Sequence, residues 1–143
     1  KIALFRIGGA TDSVKEEIEF RVEDAIHATR AALTGGVVAG GGVTLVELSK
    51  LEVSESSREA LRDTFKQLLT NGGFSAEVKL DEILKAPTGS GFNLRESGEL
   101  VDMVKSGVLD PALVVEQVIR NAYASATDML TTSTLIVFED AAE

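Results

Sequence analysis

Three glycines in a row, Gly40-Gly41-Gly42, interrupt this chain between two stretches of helical period, and no other feature limits its fold as strongly. Glycine takes left-handed backbone without steric cost and weakens any helix or strand that runs through it. The three close a longer run, Gly35-Gly36-Val37-Val38-Ala39-Gly40-Gly41-Gly42. The simplest reading is a tight turn between two helices. Upstream, Val14, Ile18, Val22, Ile26, Thr29 and Leu33 recur at helical spacing. They predict a long helix from Thr11 to Thr34 with one buried stripe. Thr11 or Ser13 caps it, and Ser13 with Glu16 fits a capping box.

The rest of the chain reads as further helices with little strand. Lys1 to Ile7 is rich in β-branched and aromatic residues and ends at Gly8-Gly9, which predicts a strand. A second helix is expected from Gly41 to Lys50. Ser56 and Glu59 fit another capping box and open a third helix, with a stripe of Leu61, Phe65, Leu68 and Leu69 that ends at Asn71-Gly72-Gly73. Ser75 starts a short fourth helix, with Pro87 just beyond it. Thr88 to Gly91 is a turn, and Phe92 to Val101 has room for two short strands. Asp110-Pro111 signals a helix start, with Pro at the first helical position. The last helix is expected to bury Val115, Val118, Ile119, Ala122, Ala126 and Met129. Leu135 to Phe138 reads as a final strand. The expected fold is mainly α with minor β.

Composition narrows the function. Apolar residues make up 44%, enough for a packed core. A net charge of −9 and no basic patch exclude nucleic acid and anionic membrane as natural partners. No apolar run reaches the ~20 residues of a membrane helix. With no Cys, thiolate chemistry is excluded. The chain begins at Lys1 inside a strand-like run without an initiator Met, the pattern expected of a piece of something longer.

Four features carry candidate chemistry. The glycine run fails as a P-loop, because Val43 and Thr44 stand where Lys and Ser or Thr are needed for phosphate and Mg²⁺. It fails as a dinucleotide fingerprint, because a helix is expected before it rather than a strand. Its bare backbone N–H groups still suit the close approach of a ligand. Glu23 and Asp24 are helix neighbours, about 100° apart, so they do not form one carboxylate pair. By itself Asp24 reads as a solvated acid near Arg21. His27, the only histidine, follows Asp24 at an acid-x-x-His spacing. Di-iron bundles need two such motifs and further carboxylates, so no metal site is expected, and pairing of His27 with Glu23 one turn back is the simpler reading. Asp110 before Pro111 reads as a helix N-cap.

The order of these features resembles one family. Arg21-Val22-Glu23-Asp24-Ala25-Ile26-His27-Ala28-Thr29-Arg30-Ala31-Ala32 is similar to the segment linking intermediate and equatorial domains in group I (GroEL-type) chaperonins. Gly36 to Val43 resembles the glycine turn that follows it. Val101-Asp102-Met103, Gly107-Val108-Leu109-Asp110-Pro111 and Thr131-Thr132 resemble later signatures, so nearly the whole chain is covered.

The resemblance implies a fragment of an ATP-dependent chaperone. Residues 1–34 would be the returning limb of the intermediate domain, and 35–143 the C-terminal part of the equatorial domain. Asp24 would be the catalytic aspartate that swings toward the γ-phosphate and the attacking water. Gly41, with Gly40 beside it, would approach the nucleoside. Asn93 would lie near the adenine, and Asp110 would bind the ribose hydroxyls. Leu94 and Arg95 stand where the family has small residues. The parent would use ATP and Mg²⁺ in heptameric rings stacked in pairs, with a co-chaperonin and unfolded clients, in the bacterial cytoplasm or an organellar matrix. The family's Gly-Asp-Gly-Thr-Thr phosphate loop is not in this sequence. The isolated chain is therefore expected to lack ATPase activity, to bind no cofactor tightly and to self-associate. The alternative is a stand-alone helical interaction module without ATP chemistry.

Overall fold

The computed structural model describes residues 2–94 and 98–134. The strand expected at Leu135 to Phe138 lies outside them. The described chain is mainly helical with minor β. Helix α1 (Asp12–Gly35) is followed by strand β1 (Val37–Ala39), α2 (Val43–Leu48), α3 (Glu55–Asn71) and α4 (Ala76–Lys85). Strands β2 (Ser90–Phe92), β3 (Leu100–Asp102) and β4 (Leu109–Pro111) precede α5 (Ala112–Thr131). Two antiparallel pairs form, β1 with β4 and β2 with β3.

Local chemistry explains most boundaries. Thr11 caps α1, its hydroxyl accepting from the Val14 N–H at 3.3 Å. Gly36, at φ +78°, closes the helix by donating to the Ala32 carbonyl at 2.8 Å. The cap of α3 is Ser54, not Ser56: its hydroxyl accepts from the Ser57 N–H at 3.3 Å. Helix α2 starts two residues later than expected, because Gly41 and Gly42 hold left-handed turn backbone at φ +68° and +77°.

The core sits where α2, α3 and α4 meet β2 and the turn after β3. Val43, Val46, Phe65, Leu69, Leu80, Ile83, Phe92 and Met103 are buried there. The Phe65 and Phe92 rings lie 6.3 Å apart, tilted by 37°. Lys79 covers Phe92 from outside, its Nζ 4.4 Å from the ring centroid. Gly91 must be glycine in this packing, since a Cβ would meet Met103 Cγ at 2.7 Å and overlap Val43. The link from α2 to α3 is polar. Arg62 Nε donates to the buried Ser49 hydroxyl at 2.9 Å, and Arg58 Nε to the Ser49 carbonyl at 3.3 Å.

Three further sequence expectations need correction. Residues 2–9 form no strand. A strand is held by a ladder, and no partner lies alongside among the described residues, so Ile2 and Phe5 stay exposed at 102% and 63%. The stripes of α1 and α5 are not buried. Ile18, Val22 and Ile26 are half-covered, but Leu33 is 84% exposed and Met129 is 77% exposed. Helical spacing records an apolar face without recording what covers it. Asp110-Pro111 does not open a helix with Pro inside it. Both residues belong to β4, Pro111 is itself the N-cap residue, and Ala112 is the first helical residue.

Candidate functional site

The glycine run is not a bare turn between helices. Val37 to Ala39 extend and pair with β4, in the register Val37 to Pro111, Val38 to Asp110 and Ala39 to Leu109. So a strand does precede the glycines. It belongs to a two-stranded antiparallel pair, without the parallel crossover of a dinucleotide fold. Gly40 continues the pairing by donating to the Val108 carbonyl at 3.0 Å. A Cβ there would press on the Val108 and Leu109 backbone at 3.1 Å.

Gly41 then opens onto a cleft of about 580 Å³. Phe65, Leu68 and Leu69 of α3 line one side, and Phe92, Asn93 and Leu94 another. Met103, Ser106, Gly107 and Val108 complete it from the turn after β3. That turn is closed by Asp102, whose backbone carbonyl accepts from the Ser106 N–H and whose carboxylate accepts from the Lys105 N–H, both at 3.0 Å. These bonds to Lys105 hold the Asp102 carboxyl below its ordinary pKa. Phe65, Leu69, Phe92 and Met103 give the cleft an apolar floor, Asn93 and Ser106 bring polar groups, and among the described residues that line it none is charged. An apolar slot with a side-chain amide and open backbone suits a flat heteroaromatic ring better than a phosphate.

Asp110 stands beside this cleft. Asp110 pairs with Val38 in β4, two residues after Val108, which lines the cleft and whose carbonyl accepts from the Gly40 N–H. The residue is half-buried, and among the described residues no hydrogen bond or ion pair reaches its carboxylate. Burial raises its pKa above the ordinary value. A group whose folded pKa exceeds its unfolded one binds more protons when folded. Its penalty is absent below the unfolded value, about 3.9, and grows as pH rises through the folded one. Asp110→Asn is therefore expected to melt higher than the parent chain at pH 7, the gap closing toward pH 3. Thermal scans across that range check it; a lower melting point at pH 7 would show that the carboxylate has a partner.

The structure thus brings Gly41 and Asn93 into one cleft, with Gly40 and Asp110 in the ladder at its edge. It does not bring Asp24 there. Asp24 is exposed on α1, about three turns before Gly36. Arg21 pairs with Glu17 at 3.3 Å instead of with Asp24. His27 Nε2 lies 3.8 Å from Glu23, one turn back. Sequence reasoning missed Leu68, Phe92, Met103, Ser106 and Val108 as cleft residues. Met103 and Val108 sit in runs singled out for their resemblance, but apolar lining carries no motif of its own.

Comparison with known proteins agrees with the superfamily and corrects the group. The model of the TCP-1/cpn60 chaperonin family matches residues 1–140. A crystal structure of a group III chaperonin in the open state superposes with a TM-score of 0.74 at 35% identity. The match covers 91% of this chain and 30% of that one, so the chain spans under a third of its relative's length. This likeness overturns the assignment to the group I, GroEL-type branch. The runs that suggested that branch sit on a helix face and in tight turns. A run shared with one branch shows membership of the superfamily, and over the chain as a whole the likeness is to a group III structure.

Proposed function

The chain belongs to the TCP-1/cpn60 chaperonin family, and from that premise we propose that it is the part of a chaperonin subunit that receives the nucleoside of ATP. The family assists protein folding with ATP, and its members assemble and engage client proteins. Within that frame, residues 1–34 are the returning limb of the intermediate domain and 35–143 the C-terminal part of the equatorial domain. Gly41 approaches the nucleoside, with Gly40 holding the turn behind it. Asn93 lies near the adenine. Asp110 accepts from the ribose hydroxyls, which would give its carboxylate the partners it lacks. Asp24 orients the water that attacks the γ-phosphate once α1 moves toward the nucleotide.

One observation carries this reading. Gly41 and Asn93, far apart in sequence, wall the same cleft. The residues present fit a nucleoside, but they do not fit a triphosphate with Mg²⁺. Among the described residues the cleft lining has no Lys, Arg or carboxylate, and the sequence has no Gly-Asp-Gly-Thr-Thr loop. In this reading the phosphates and the metal are held by residues other than the described ones that line the cleft.

Calorimetry of this chain with Mg-ATP tests that division. The expected result is binding no tighter than roughly millimolar, an energy of about −4 kcal/mol. A micromolar site would overturn it. Light scattering on the same samples reads a second consequence. The exposed apolar faces of α1 and α5 are expected to drive self-association at micromolar concentration.

A further inference from the structure

Glu47 joins the two walls of the cleft. It lies on α2, the helix that Gly41 and Gly42 lead into. Its Oε1 accepts a part-buried hydrogen bond from the Gly89 N–H. Gly89, at φ +82°, belongs to a turn closed by the Ser90 N–H donating to the Pro87 carbonyl at 3.1 Å. Its own carbonyl accepts from the Met103 N–H at 3.0 Å. The next residue starts β2, which delivers Phe92 and Asn93 to the cleft.

Helix α2 needs such an anchor. It has six residues, and its cap, Gly42, has no side chain to bond with. Thr44 ties it back to β1 through the Ala39 carbonyl at 2.8 Å. Glu47 reaches the other way, to the turn before β2. A carboxylate accepting from a backbone N–H makes a stronger bond than a neutral acceptor does. Val43 packed against Gly91 is a second contact between α2 and β2. Contact sets their closeness, and the Glu47 bond sets their register.

We propose that Glu47 is a positioning residue for nucleoside binding: through the Gly89 N–H it fixes how the Asn93 wall stands against Gly41. The inference rests on the nucleoside reading of the cleft. It is tested on this chain with Glu47→Ala, which removes the acceptor, and Glu47→Gln, which keeps one. Amide hydrogen exchange and adenosine titrations followed by NMR are the two readouts. In Glu47→Ala, protection in β2 and β3 is expected to fall about tenfold, and adenosine affinity severalfold, while the α3 amides keep their protection. Glu47→Gln restores most of both. An equal loss of protection across α3 and β2 would mean a merely structural role and overturn the proposal. So would an adenosine affinity equal in all three proteins, with the nucleoside reading left standing. If the unmutated chain shows no adenosine shifts at all, the nucleoside reading falls, and the positioning role falls with it.

Discussion

Phe65→Ala is expected to destabilise the chain by about 3–5 kcal/mol, the usual cost of emptying a core aromatic site. Phe65 is 2% exposed and stands at the centre of the packing. It touches Phe92 across 6.3 Å between ring centroids, and Gly42 packs against its Cα and Cβ. Its loss leaves a void that Leu69 and Met103 cannot fill without leaving their own positions. Small domains have a total stability of about 5–15 kcal/mol, so the variant should lie near the threshold of unfolding. Leu68→Ala is the control. Leu68 is 39% exposed on the same helix and should cost much less. Urea unfolding of both variants measures the difference. A Phe65→Ala loss under about 1 kcal/mol would place the core elsewhere.

The second large effect concerns chemistry and needs the complete subunit. Asp24→Ala should slow single-turnover ATP hydrolysis by roughly 10²-fold or more, the scale for losing a positioned acid–base group. Nucleotide affinity should stay nearly intact, because the nucleoside contacts assigned here lie on Gly41, Asn93 and Asp110. Stability should barely change, since Asp24 is exposed and Ala is the better helix former. Glu23→Ala is the control. Glu23 points about 100° around α1 and pairs with His27, so it should be nearly silent for hydrolysis. Hydrolysis at the parental rate in Asp24→Ala would remove the catalytic role.

What sequence reading reached follows from where the signals lie. The helices were legible because caps and helical spacing are local. Thr11, Ser75, Gly36 and Gly72 mark ends that the structure also shows. The three-residue strands β1 and β4 were not legible. A strand that short has no period to read, and its existence depends on a partner far along the chain. Asp110-Pro111 illustrates the conflict. Asp before Pro suits an N-cap, yet pairing of Asp110 with Val38 makes it strand. The fate of the stripes on α1 and α5 was equally hidden, because an amphipathic face does not name its cover. Within the site, Gly41 and Asn93 were reached through motifs. The apolar lining was not, because Phe65, Leu68 and Met103 converge only in three dimensions.

The most direct test of the nucleoside reading is an amide shift map of this chain titrated with adenosine. Shifts gathered at Gly41, Asn93, Val108 and Asp110, saturating in the millimolar range, are the expected result. Such a site is worth about −4 kcal/mol. No shifts at these positions, or shifts confined to the exposed faces of α1 and α5, would contradict the assignment of the cleft.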